Sequence, residues 1–113
     1  MQMERRIFWI GTSLVDLKNF PAKAIQKAGY QLHRVQTGLE PDDWKAFNEI
    51  GSGTREIRII DSSSTFRIMY VAKFREGIYV LHCFQKKTQK TRKQDIDIAK
   101  TRYQAIIAAG IKR

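Results

Sequence analysis

The sequence predicts an α+β domain, and three observations predict it. Three β-patterned runs, residues 54–60, 65–74 and 78–84, follow one another with only the short breaks Asp61-Ser62-Ser63-Ser64 and Arg75-Glu76-Gly77 between them. Breaks this short force antiparallel neighbours, because a parallel crossover needs roughly a dozen residues or more. Before these runs, Ile25, Ala28, Leu32 and Val35 recur at helical spacing; after them, Ile96, Ala99, Tyr103 and Ile106 do the same. The expected fold is a small twisted antiparallel sheet, an N-terminal strand plus a three-strand meander. The helices of the first half pack on one face, a C-terminal helix follows, and the other sheet face stays open. The 113 residues form a single domain, the usual size of one core.

The elements follow in order. Residues 6–10 (RIFWI) are a short β-like run ended by Gly11. Thr12 or Ser13 caps a brief helical turn over 14–17. Pro21 suits the start of a longer helix, where a missing N–H is harmless, and Gly38 is its stop. Glu40-Pro41-Asp42-Asp43 reads as a turn into a second short helical piece, 44–50, broken by Gly51-Ser52-Gly53. The meander comes next. Thr91, three residues before Gln94, has capping-box spacing and starts the last helix.

Charge is the unusual feature. The net charge is +10 and the pI about 10.1. From Gln85 onward nine cations, ending in Lys112 and Arg113, stand against Asp95 and Asp97, which leaves +7 in the last quarter. Lys86, Lys87, Lys90, Arg92 and Lys93 fall within eight positions, where a strand gives way to a helix. A fixed scaffold presenting cations at one rim suits a polyanion; the alternative is a merely solvated loop. The single cysteine, Cys83, excludes an internal disulfide and lies in an apolar run, as a buried inert thiol would. No run approaches a membrane span and the N-terminus has no signal-length apolar core, so a soluble cytoplasmic protein is expected.

Arg58 and Arg67 are cations in the middle of β-patterns, with apolar residues on both sides. They sit on a solvated face or pair with Glu56 across strands, or they gather towards Lys86 and grip phosphate bidentately. His82 reads as a hydrogen-bonded core residue or a general base. Tyr70 and Phe84 read as core, or as platforms that stack a nucleobase. There is no metal-ligand spacing, no phosphate-cradling glycine motif and no nucleophile elbow, so no cofactor is expected. Phosphodiester cleavage by such a chain would rest on cations stabilising charge on phosphate, without a metal.

The succession GSGTREIRI, FRIMYVAKF and YVLHCFQKKTQKTRKQDIDIAKTR resembles the phage-derived HigB-like toxins of the RelE superfamily, over roughly residues 20–102. The string HCFQKKTQKT is its most specific piece. The resemblance implies a RelE-like fold and a toxin of a type II toxin–antitoxin pair. It implies ribosome-dependent cleavage of messenger RNA, in which the 2′-hydroxyl attacks the adjacent phosphate. It implies a helix-turn-helix, HigA-like antitoxin as partner, in a toxin–antitoxin hetero-oligomer. Carried onto this chain, the catalytic group is Arg58, Arg67, Lys86 and Lys87. Arg67 and one lysine meet the phosphate, and the other lysine or His82 moves protons or positions RNA. His82, Tyr70, Lys90, Arg92 and Lys93 are the further RNA contacts. Arg92 stands where the family commonly has proline, a structurally mild change that adds a cation. A lysine serves as a base only if neighbours depress its pKa. Two other readings of the same basic patch are a non-catalytic RNA-binding domain and a phage-derived protein-binding regulator.

Overall fold

Alternating apolar side chains pair three strands into a meander, and the flanking segments complete a five-stranded sheet. In the computed structural model, which describes residues 4–88 and 90–111, the elements are β1 (Ile7–Trp9), α1 (Ser13–Lys18), α2 (Ala22–Gln36), β2 (Trp44–Ala46), β3 (Thr54–Asp61), β4 (Ser64–Val71), β5 (Ile78–Lys86) and α3 (Lys93–Ala108). Gln89 of the lysine-rich motif, and Lys112 and Arg113 of the basic tail, lie outside the described residues. The strand order is β1-β5-β4-β3-β2. The α+β expectation and the antiparallel meander hold.

Four expectations are corrected. The sheet is mixed, because β1 runs parallel to β5, with Ile7 opposite Ile78 and Trp9 opposite Val80. More than half of the chain separates these two strands, so no short turn dictates their direction. Residues 44–50 are not a helix: Trp44, Lys45 and Ala46 pair antiparallel with Ile57, Glu56 and Arg55. The three-residue spacing of Trp44, Phe47 and Ile50 imitates a helical stripe, but the edge of β3 offers this segment strand partners. Strand pairing and the bond from Phe47 N–H to the Thr54 carbonyl satisfy its backbone instead. Thr91 is not the N-cap of α3. Arg92 holds that position without a side-chain cap, at φ −67, close to the angle proline would impose.

The second sheet face is also not left open. Ala24, Ala28, Leu32 and Val35 of α2 pack on Ile57, Ile59, Ile68 and Val80 on one side. Ala99, Tyr103 and Ile106 of α3 pack on Met69, Val71, Tyr79 and Leu81 on the other. The stripe that predicts α3 must bury itself somewhere, and the far sheet face is the apolar surface it reaches. The positions further along, Arg58 on β3, Arg67 on β4 and Lys86 on β5, are outside that packed group.

A β-bulge decides which side chains meet there. Met69 pairs with His82 but Tyr70 pairs with Val80, so Leu81 is the extra residue. Val80 and Cys83 pack on the α2 side, while Leu81 packs on the α3 side. His82 follows Leu81 onto the α3 side, where its Nε2 lies 2.8 Å from Asp95 Oδ1. Plain alternation along the strand groups Val80 with His82, Phe84 and Lys86; the bulge separates Val80 from the other three. Arg102 of α3 donates from Nη1 to the Leu81 carbonyl at 2.8 Å and from Nη2 to Thr12 Oγ1 at 3.1 Å. Gly11, at φ +58, leaves room for it: a Cβ there would lie 2.6 Å from Arg102 Nε.

Candidate functional site

The ladder itself brings the cations together. Arg58 is paired directly with Arg67 across β3 and β4. Thr65 pairs with Lys86, and Arg67 with Phe84, across β4 and β5. Same-face neighbours on adjacent strands stand within reach of long side chains. Asp43, Trp44, Lys45, Glu56, Arg58, Arg67 and Lys86 line a recess of about 270 Å³. A second recess of about 420 Å³ shares Arg58, Arg67 and Lys86 and adds Thr65, Lys87 and Thr88. Together they form a notch in which Lys45, Arg58, Arg67, Lys86 and Lys87 outnumber Asp43 and Glu56.

Like charges this close repel, and Glu56 is the residue that offsets it. Its side chain has no exposed surface and accepts a bond from Arg67 Nη1 at 2.7 Å. Its other oxygen accepts from Thr91 Oγ1 at 3.2 Å, and Lys45 Nζ stands 3.7 Å away. One buried carboxylate thus fixes the central arginine and also ties down the end of the loop leading into α3. Arg58 Nε pairs with Asp43 Oδ2 at 2.5 Å. Arg67 is mostly buried, and among the described residues its Nε–H has no partner. With Nη1 on Glu56 and Nε buried, Nη2 is the guanidinium nitrogen left to meet an oxyanion.

Lys86 is half-buried in this company. Desolvation lowers its pKa first; the charge of Arg67 lowers it further, Glu56 opposes this, and Lys45 and Arg58 add to the lowering. The ammonium is therefore easier to deprotonate than an ordinary lysine, which is the condition a lysine base requires.

Of the residues singled out from the sequence, Arg58, Arg67, Lys86 and Lys87 come together. Lys90 lines an adjoining recess with Lys45, Phe47 and Thr91. Arg92 is exposed just before α3, and Lys93, 90% exposed, pairs with Asp97 at 3.3 Å. His82 is buried, bound to Asp95 and stacked on Phe84 at 4.9 Å, so it braces the end of β5 against α3 rather than opening into the notch. Tyr70 lies on the opposite sheet face, opposite Arg55 and 1% exposed. Asp43 and Lys45 are additions to the site. The helical reading of 44–50 hid Lys45, which only a strand paired with β3 delivers to Glu56.

Residues 15–104 match the family described as Phage derived protein Gp49-like (DUF891). No curated protein matches the chain. The match spans most of the sequence, every strand of the meander and the whole notch. The chain belongs to the Gp49-like family, and its architecture is compatible with a small RelE-like fold.

Proposed function

We propose that this member of the Gp49-like family is a toxin of the RelE type, of the HigB-like kind, which cuts messenger RNA on the ribosome. The observation that carries the reading is the convergence of Arg58, Arg67 and Lys86 on one notch around a buried carboxylate. The scissile phosphate sits against Arg67, whose Nη2 faces a non-bridging oxygen while Nη1 stays on Glu56. Arg58 and Lys87 take the remaining phosphate charge. Lys86, in its neutral form, accepts the proton of the 2′-hydroxyl as that oxygen attacks phosphorus. The bond to the 5′-oxygen breaks, water protonates the leaving oxygen, and the products are a 2′,3′-cyclic phosphate and a 5′-hydroxyl; Lys86 returns its proton to the hydroxide left behind. The extra negative charge of the transition state falls among preplaced cations in a partly desolvated notch, where they act more strongly than in water. No metal ion takes part in the proposed step.

The ribosome presents the messenger, and the exposed Lys90, Arg92 and Lys93 supply contacts to neighbouring phosphates. The partner that restrains such an activity is a helix-turn-helix, HigA-like antitoxin, bound in a hetero-oligomer; a net charge of +10 favours an acidic binding segment. Induction of the chain alone is expected to arrest growth, and Arg67→Ala or Lys86→Ala to relieve the arrest while the protein stays folded. Normal growth with abundant folded wild-type protein would overturn the reading. Salt-dependent RNA binding without new RNA ends would leave only a binding domain.

A further inference from the structure

A second recess lies on the α2 face of the sheet, at the Arg55–Tyr70 pair. That pair is three ladder positions from the Arg58–Arg67 pair, about 10 Å along the strands, and on the opposite side of the sheet. Its volume is about 350 Å³, and its walls include Arg5, Val35, Leu39, Arg55, Tyr70 and Lys73. Three of these are cations, and Glu40 is the one carboxylate among the lining residues. Arg5 is held by its Nη2, which donates to the Phe74 and Gly77 carbonyls at 2.9 and 3.1 Å. The Arg55 guanidinium lies 3.8 Å over the Trp44 ring, and its Nη1 stands 3.5 Å from Glu40 Oε1. Lys73 has no carboxylate partner among the described residues. Gly53, at φ +85, gives it room, since a Cβ there would come within 2.7 Å of its side chain.

Tyr70 supplies an independent observation. It is 1% exposed, it lines this recess, and among the described residues its O–H finds no acceptor. A buried O–H without an acceptor is costly and calls for a ligand or an explanation. Burial raises its pKa, chiefly by desolvation; the Arg55 guanidinium, within bonding reach of the phenol oxygen, opposes this, and the group stays a neutral O–H donor. The carbonyls that end α2 are not competing for a cation here, because the N–H groups of Gly38 and Leu39 already bond to Val35 and Arg34. Glu40, with 64% of its side chain exposed, lies against Arg55 like a loosely held internal anion.

We propose that this recess is a second anion site, which takes a small oxyanion, phosphate or carboxylate. Tyr70 donates its hydroxyl, Lys73 and Arg55 supply the charge, and the ligand displaces the Glu40 carboxylate. The site does not depend on the reading of the Arg58–Arg67–Lys86 notch, and its test keeps the two apart.

The experiment uses the full chain carrying Arg67→Gln, which weakens anion binding in the notch. Inorganic phosphate and, separately, glutarate are titrated by calorimetry and by amide chemical shifts. The expected result is saturable binding with shifts around Arg55, Tyr70 and Lys73. Tyr70→Phe and Lys73→Gln each weaken it about tenfold, the loss of one charge-assisted bond. Glu40→Gln tightens it several-fold, because the internal competitor is gone. Preference for phosphate identifies a nucleotide-like ligand, and preference for glutarate identifies an acidic side chain. No binding at millimolar anion, shifts confined to Arg58 and Lys86, or affinity indifferent to Tyr70→Phe and Lys73→Gln would overturn the proposal.

Discussion

Replacing Glu56 with glutamine removes one charge from the interior with almost no change of volume. Glu56 has no exposed surface, and Arg67, whose side chain is 11% exposed, bonds to it at 2.7 Å. Without the carboxylate, the guanidinium is left largely desolvated and without a counter-charge. Breaking a buried pair by removing one partner costs about 3–5 kcal/mol. Glutamine keeps one acceptor oxygen for Arg67 or for Thr91, now 3.2 Å away, which brings the expected loss to about 2–3 kcal/mol. The Lys45 contact, at 3.7 Å and 54% exposed on the lysine side, adds little. For a domain of this size that is a fall in Tm of roughly 8–15 °C, read by thermal unfolding and by urea denaturation at unchanged slope. The double variant Glu56→Gln/Arg67→Met removes both charges and is expected to recover most of the lost stability. It is expected to remain inactive on RNA, since Arg67 is gone. A Glu56→Gln protein within about 2 °C of wild type, or a double variant no more stable than the single one, would refute the pairing argument.

Four further outcomes are expected. The Lys86 ammonium titrates below the ordinary 10.5 in the fold, so between the two values the unfolded chain holds more protons and stability rises with pH. Lys86→Met therefore stabilises the protein most below that window, and the difference from wild type vanishes above pH 10.5. Nuclear magnetic resonance of the Lys86 side chain is expected to show the titration moving up in Arg67→Gln and down in Glu56→Gln. Burial pushes the Cys83 thiol far above its ordinary value; it should react with a disulfide reagent at least about a hundredfold more slowly in the native chain than in urea. Gly11→Ala places a side chain at φ +58 against Arg102, with an expected cost of about 2–3 kcal/mol in urea unfolding, from backbone strain and the loosened bond to the Leu81 carbonyl.

The meander was legible because its breaks are too short for anything but hairpins and its runs alternate cleanly. Most cations of the notch were legible for the same reason: Arg58 and Arg67 interrupt apolar strand patterns, and Lys86 ends one; Lys45 was not. The pairing of Arg67 with Glu56 is observed, and the proposed phosphate contact is compatible with it, since the pair holds the arginine in place. Other features depend on partners far away in the chain. Trp44, Phe47 and Ile50 carry a helix-like period, and only the free edge of β3 makes Trp44–Ala46 a strand. The bulge at Leu81 leaves no mark in the local pattern; it is sustained by Arg102, 21 residues further on. Tyr70 has the composition of a stacking platform, yet strand parity sends it to the α2 face. His82 was legible as a core histidine, but its partner Asp95 comes from a helix whose docking face the sequence alone leaves open.

The most direct test of the notch is a single-turnover reaction of the purified chain with ribosomes stalled on an end-labelled messenger. The expected products are a 2′,3′-cyclic phosphate and a 5′-hydroxyl end. The rate is expected to fall by at least about a hundredfold in Arg67→Ala and in Lys86→Ala, with the fold intact by circular dichroism. An intact messenger under saturating folded wild-type protein, or cleavage unchanged in both variants, would contradict the claim that these side chains form one phosphate-cutting site.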